Sequence, residues 1–141
     1  MKRTASVVWT GGFKEGAGHI STQSGVLTNT PYGFKTRFEE GPGTNPEELI
    51  AAAHAGCFSM AFAAQLGEVG MTAESIKTSA AVTLEKLADG FAITAVHLDL
   101  VAKIPGVNQE IFETVANKAK VGCPVSKLLN AEITLSAKLE K

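Results

Sequence analysis

Cysteine is scarce in this chain. Only Cys57 and Cys123 occur among 141 residues. There is no Cys-x-x-Cys and no His-x-x-x-His pair, so a zinc framework has little to stand on. Arginine is scarcer than usual too, with Arg3 near the terminus and Arg37 the one internal case. Charge of one sign is missing as well: 13 basic and 14 acidic side chains leave a net charge of −1. That balance excludes an electrostatic footprint for nucleic acid or an anionic membrane. The stretch from Met1 to Trp9 carries basic residues but no apolar run long enough for a signal peptide. Internal repeats and low-complexity segments are absent. These absences place the chain in the cytoplasm, where a purely structural disulfide is not expected. Two cysteines in that compartment read as catalytic, redox-active or metal-binding. The length suits one domain, 1–141, with a real core.

What is present is a long apolar helix. Asn45 is a strong N-cap, Pro46 suits the first helical position, and Glu47 and Glu48 fall in the first turn, where the helix dipole favours carboxylates. Glu48, three residues after the cap, fits a capping box. From Leu49 to Leu66 only His54, Ser59 and Gln65 interrupt apolar or small residues. A helix apolar all round is expected to be buried on every side. It is short, Ala-rich and polar-interrupted for a membrane span. It should end near Gly67 or Gly70. Cys57 lies at its middle.

Around it, Ser6–Thr10 and His19–Thr22 read as strands separated by a turn through Gly16 and Gly18. Asn29–Gly33 reads as a turn. Phe34–Phe38 reads as a short strand, with Phe34, Thr36 and Phe38 on one face and Lys35 and Arg37 on the other. Ile76–Leu87 and the run from Phe91 form a long hairpin about Asp89-Gly90. The second strand changes phase, which predicts a bulge near Ala95-Val96. Asn108 caps a helix with an apolar stripe of Ile111, Phe112, Val115, Ala116 and Ala119, and Gly122 is its expected C′ residue. Pro124 opens a short helix through Leu129, and Ile133–Glu140 alternates as a last strand. The order βββ-α-ββ-α(α)-β is an α+β domain.

The chemistry follows from where the sulfurs fall. Cys57 is fixed in mid-helix, whereas Cys123 sits at a junction between two helical pieces and can swing. A fixed and a mobile thiol suit a two-cysteine redox cycle. A buried thiol stays inert unless a cation stabilises its thiolate, and Arg37 is the internal candidate. Its guanidinium can fork onto a carboxylate. Glu47 precedes Cys57 by ten residues in the same helix, about 15 Å along the axis and about 80° around it. Within one straight helix the two cannot share a site. If both serve one site, two subunits must cross their helices antiparallel near Ala52, giving a symmetric dimer with composite sites.

The run Thr44-Asn45-Pro46-Glu47-Glu48-Leu49-Ile50-Ala51-Ala52-Ala53-His54-Ala55-Gly56-Cys57-Phe58-Ser59-Met60, with Gly122-Cys123-Pro124-Val125-Ser126, resembles the osmotically inducible protein C family. Ser24–Leu27 and Pro31–Phe34 add to the likeness. The resemblance spans essentially the whole chain. It implies curved antiparallel sheets wrapped around central helices in an intertwined homodimer. It also implies a thiol peroxidase that reduces organic hydroperoxides, with Cys57 peroxidatic, Cys123 resolving, and Arg37 and Glu47 activating the thiolate. A lipoyl-type or thioredoxin-type dithiol is the implied reductant, and no metal, haem or flavin is implied. The sister group of organic hydroperoxide resistance proteins carries an arginine after Thr-Gly-Gly. Here Thr10-Gly11-Gly12 is followed by Phe13 and Lys14, which leaves Arg37 as the activating cation. Gly56 stands where the family has alanine. Tyr32, Phe34, Phe38, Phe58 and Met60 are expected to line an apolar pocket that favours alkyl and fatty-acid hydroperoxides over hydrogen peroxide.

Two other readings compete. His54, three residues before Cys57, could serve a Cys-His hydrolase as base, although no oxyanion-hole segment or third partner is apparent. Alternatively the protein is a non-enzymatic stress-induced dimer whose cysteines only pack.

Overall fold

Asn45 does two jobs where the chain turns into its long helix. Its Oδ1 accepts from the Glu48 amide at 2.8 Å, and its Nδ2 donates to the Thr36 carbonyl at 2.9 Å. In the computed structural model, which describes residues 1–141, that helix is α2, Pro46–Glu68. The chain divides into two compact units, residues 1–49 and 50–141.

In the first unit, β1 (Ala5–Thr10), β2 (Ala17–Thr22) and β3 (Thr30–Gly33) form an antiparallel sheet in that order. Gly18 pairs with Trp9 on one side and Tyr32 on the other. The two rings tilt together across it with centroids 5.5 Å apart, and a Cβ on Gly18 would collide with Tyr32. Pro31 is tolerated because β3 is an edge strand.

Two expectations fail here. The segment read as a turn, Asn29–Gly33, supplies β3. The segment read as a strand, Phe34–Phe38, is the helix α1. Over five residues, positions 34 and 38 share a face at either period, so alternation could not discriminate. The Thr36 hydroxyl decides it: it donates to the Gly33 carbonyl at 3.0 Å and accepts from the Gly33 amide at 2.9 Å, which closes the first turn.

In the second unit, β4 (Ser75–Leu87) and β5 (Gly90–Lys103) make the expected hairpin. Thr83 pairs with Ala95 and Leu84 with Ile93, so Thr94 is the extra residue, one position before the predicted bulge. Beyond it Val96, Leu98, Leu100 and Ala102 are buried in one phase. The last strand, β6 (Glu132–Glu140), lies beside β5 and parallel to it. This sheet is therefore mixed, which corrects the purely antiparallel expectation. The helices α3 (Gln109–Gly122) and α4 (Pro124–Leu128) carry the chain back along β5, and a parallel neighbour needs such a crossover.

Phe58, Phe62 and Leu66 of α2 pack into one core with the buried phase of β5 and with Phe112, Val115, Ala116, Ala119 and Cys123. Phe62 stacks on Phe58 and meets Phe112 edge-on. α2 ends in a Schellman turn: Gly70 adopts φ 71°, and the Met71 amide reaches the Leu66 carbonyl at 2.9 Å. Asn108 caps α3 through the Ile111 amide at 2.8 Å. Gly122, expected as a left-handed C′ residue, is instead the last helical residue. Pro124 bars Cys123 from the helical region, and Cys123 ends the helix at ψ 127°.

α2 is long and apolar enough, by length and composition, to cross a membrane. It is not buried on every side in the single chain. Ala52, Ala53, Gly56, Met60 and Ala63 are exposed. Beyond its first turn, one chain fully covers just the stripe of His54, Phe58, Phe62 and Leu66, one residue per turn.

Candidate active site

Each unit brings together one pair of the residues singled out in the sequence. In residues 1–49 the pair is Arg37 and Glu47. Nη2 of Arg37 lies 2.7 Å from Glu47 Oε1, and Nε lies 3.2 Å from both carboxylate oxygens. Two donors on one carboxylate hold the guanidinium plane as well as its position. Arg37 also lies over the Phe38 ring, 5.3 Å from its centroid. Local sequence explains the meeting: α1 carries Arg37, the first turn of α2 carries Glu47, and Asn45 ties that turn to Thr36.

Arg37 closes one side of a cavity of about 220 Å³ lined by Trp9, Phe13, Tyr32, Phe34 and Phe38. Phe34 and Phe38 approach at 4.9 Å, and Phe13 meets Phe34 edge-on at 5.3 Å. Three of the five expected lining residues are here. Phe58 is core, with no exposed surface, and Met60 faces outward. Trp9 and Phe13 were not anticipated. Between them lies Gly11, at φ 88°, a left-handed position in the turn that links β1 to β2.

In residues 50–141 the pair is Cys57 and Cys123. Both thiols are free, and their sulfurs lie 2.8 Å apart, Cys123 donating to Cys57. A disulfide at about 2.05 Å needs less than an ångström of approach. No swing of Cys123 is required, because the junction already delivers its sulfur. The exposures are unequal: Cys57 is partly accessible, and Cys123 is fully buried among core residues. Burial pushes the Cys57 thiol above its ordinary pKa. The adjoining Cys123 sulfur pushes the same way, and the Val125 amide, donating to Cys57, pulls it down.

Beside the sulfurs lies a second contact. His54 Nε2 is 2.7 Å from Ser126 Oγ. His54 is wholly buried, burial lowers its pKa, and its Nδ1 has no hydrogen-bond partner. The imidazole bonds to Ser126 rather than to Cys57, which removes the arrangement a Cys-His hydrolase requires. Nothing in the local sequence marks the Ser126 hydroxyl as the partner of a histidine 72 positions away.

The chain is similar to several known proteins. Residues 39–138 match the family described as OsmC-like protein. Peroxiredoxin OsmC of Escherichia coli is 54% identical over 132 residues, covering 94% of this chain and 92% of that protein. Organic hydroperoxide resistance protein OhrB of Bacillus subtilis is 30% identical over 138 residues, covering 97% of each. The crystal structure of the latter superposes with a TM-score of 0.69 over 97% of this chain and 98% of that one. An OsmC-like protein of unknown function from Vibrio cholerae, 18% identical, shares the fold with a TM-score of 0.77 over 97% of this chain and 99% of that one.

Proposed function

Because the chain belongs to the OsmC-like protein family, we propose that it is a cysteine peroxidase that reduces organic hydroperoxides. The observation that carries this reading is the apposition of an accessible and a buried thiol, Cys57 and Cys123, at 2.8 Å. The names of its relatives, a peroxiredoxin and an organic hydroperoxide resistance protein, support it.

The Cys57 thiolate attacks one oxygen of the hydroperoxide. The S–O bond forms as the O–O bond breaks, and the alkoxide takes a proton and leaves as alcohol. Cys57 becomes a sulfenic acid. The Cys123 sulfur then attacks it: the S–S bond forms, the S–O bond breaks, and hydroxide leaves as water with the Cys123 proton. An external dithiol, lipoyl-type or thioredoxin-type, returns both thiols by exchange. The chain's own residues need no metal or cofactor for any of these steps. Arg37 stabilises the thiolate and the charge growing on the departing oxygen, and Glu47 holds the guanidinium in plane.

Arg37 and Glu47 of one copy serve Cys57 of a second copy in an intertwined homodimer. Two facts support this. Glu47 and Cys57 are separated along one helix by about 15 Å, and small residues of α2 stand open in the single chain. Residues 1–141 then act as a single domain completed by dimerisation, working in the cytoplasm on small hydroperoxides, with no nucleic-acid or membrane partner. The apolar cavity beside Arg37 favours alkyl over hydrogen peroxide. A dimer whose cysteines merely pack accounts less well for one exposed and one buried thiol in contact.

The test is peroxide reduction with dithiol, cumene hydroperoxide and hydrogen peroxide side by side. Wild type is expected to consume cumene hydroperoxide faster, Cys57→Ser to be inactive, and Cys123→Ser to stall after one turnover. Turnover by Cys57→Ser at the wild-type rate overturns the reading.

A further inference from the structure

The two sulfurs are one rung of a two-rung ladder. His54 precedes Cys57 by three residues on α2, and Ser126 follows Cys123 by three on α4. Residues three apart share a helix face. The pairs therefore cross between the same two segments, running antiparallel: Cys57 with Cys123 at 2.8 Å and His54 with Ser126 at 2.7 Å. Two other bonds at α4 stay close in sequence, the Lys127 amide to the Cys123 carbonyl and the Leu129 amide to the Val125 carbonyl, while the Val125 amide donates to the Cys57 sulfur that is to be oxidised. The His54–Ser126 bond is thus a long-range tie between the helix of one cysteine and the short helix that follows the other.

Resting on the peroxidase reading, we propose that His54 and Ser126 are positioning residues for disulfide closure. They hold Cys123 against Cys57 while the Cys57 sulfur carries an oxygen. That oxygen cannot lie between sulfurs 2.8 Å apart, so it stands on the side of Cys57 away from Cys123, and Cys123 must keep the opposite side. Cys123 stands alone between α3 and α4 at ψ 127°, and a five-residue helix is little restraint by itself. With the second rung in place, the Cys123 sulfur stays opposite that oxygen, in line with the S–O bond it must break. Without it, α4 drifts, closure slows, and the waiting sulfenic acid meets a second hydroperoxide and becomes sulfinic acid. A further feature fits a bond kept for its geometry. Wholly buried His54 satisfies only Nε2, leaving Nδ1 without a partner. An apolar residue would fill that space with no orphaned nitrogen.

The experiment separates the two steps. Full-length reduced dimer is mixed with cumene hydroperoxide under stopped flow. Sulfenic acid formation is read as the hydroperoxide-dependent phase, disulfide closure as the hydroperoxide-independent phase, and mass spectrometry counts sulfinic Cys57. Ser126→Val and Ser126→Thr have nearly the same shape and differ in the hydroxyl, and circular dichroism confirms the fold of both. In Ser126→Val closure is expected to slow about tenfold and sulfinic acid to accumulate, with the first phase within twofold of wild type. Ser126→Thr is expected to restore closure. His54→Gln, which keeps a side-chain amide able to reach Ser126, is expected to lie between. Closure in folded Ser126→Val as fast as wild type overturns the positioning role. So does an equal fall of both phases, or slow closure that Ser126→Thr fails to rescue. If Ser126→Val does not fold, wild-type closure rates in both Ser126→Thr and His54→Leu overturn it too. A wild-type protein that shows no hydroperoxide-dependent phase at all refutes the peroxidase reading instead, so the two failures are distinguishable.

Discussion

Arg37 grips Glu47 through two nitrogens, at 2.7 Å from Nη2 and 3.2 Å from Nε. The carboxylate is nearly buried, and the guanidinium is about one-third exposed. One face of the cation is thus committed to Glu47, while the rest stays available to an incoming oxygen beside an aromatic cavity. An ammonium cannot copy this, because it has no plane to fix. Arg37→Lys is expected to lower kcat/KM for cumene hydroperoxide about 10²-fold, the scale of losing one donor to a developing oxyanion. Glu47→Gln, which keeps shape but loses charge, should fall less. Wild-type kcat/KM in Arg37→Lys would dismiss the fork.

On the proposed reading, the same cation sets the acidity of Cys57. In the single chain, burial and the adjoining Cys123 sulfur raise its pKa. A raised acid keeps its proton in the native state after the unfolded chain has lost it, above about pH 8.5. That contribution to stability is present below this pH and is lost as pH rises through the native value. On the proposed reading, Arg37 of a second copy reverses the direction. Peptide-resolved alkylation of reduced protein against pH should place Cys57 of wild type below an ordinary thiol, and Cys57 of Arg37→Ala above it. Overlapping profiles would separate Arg37 from the thiolate.

His54 sets an acid limit. Burial lowers its pKa, so the unfolded chain takes up a proton below about pH 6.5 that the native chain refuses. Its contribution is present above that pH and is lost as pH falls through the native value. Melting temperature should drop between pH 7 and pH 5 in wild type, and less steeply in His54→Gln. Parallel slopes would clear the imidazole of any part.

Asn45 joins α1 to α2 and so connects stability with activity. Asn45→Ala loses the cap on Glu48 and the tie to Thr36. The cost should be about 1–2 kcal/mol in urea denaturation. The two cysteines belong to the other unit, so Cys57–Cys123 disulfide formation with diamide should be unaffected. An unchanged midpoint would show that the cap is redundant.

Phe62 is enclosed by Phe58 and Phe112 with no exposed surface. Phe62→Ala should cost about 3–5 kcal/mol in the same titration, the transfer loss plus the cavity left behind. A loss below 1 kcal/mol would mean that the core collapses around the gap.

Much of this was legible in the order of residues. Asn45-Pro46 announced a helix, Asn108 a second, Asp89-Gly90 a hairpin, and Val96-Leu98-Leu100 one phase of its second strand, because caps, turns and alternation are fixed by neighbours a few positions away. The Cys57 and Cys123 motifs were legible as a family pattern for the same reason. Short segments were not. Phe34–Phe38 fits a strand and a helix equally well until the Thr36 hydroxyl closes on Gly33.

The chain's local grammar therefore determined its long elements, and its two sulfurs stood out by their rarity. Folding alone decided that β6 lies parallel to β5, that Cys57 touches Cys123 rather than waiting for it, and that His54 bonds to Ser126. Those facts depend on which distant segments come to share a core. Burial energy sums over the whole chain, and no window of neighbouring residues contains that sum.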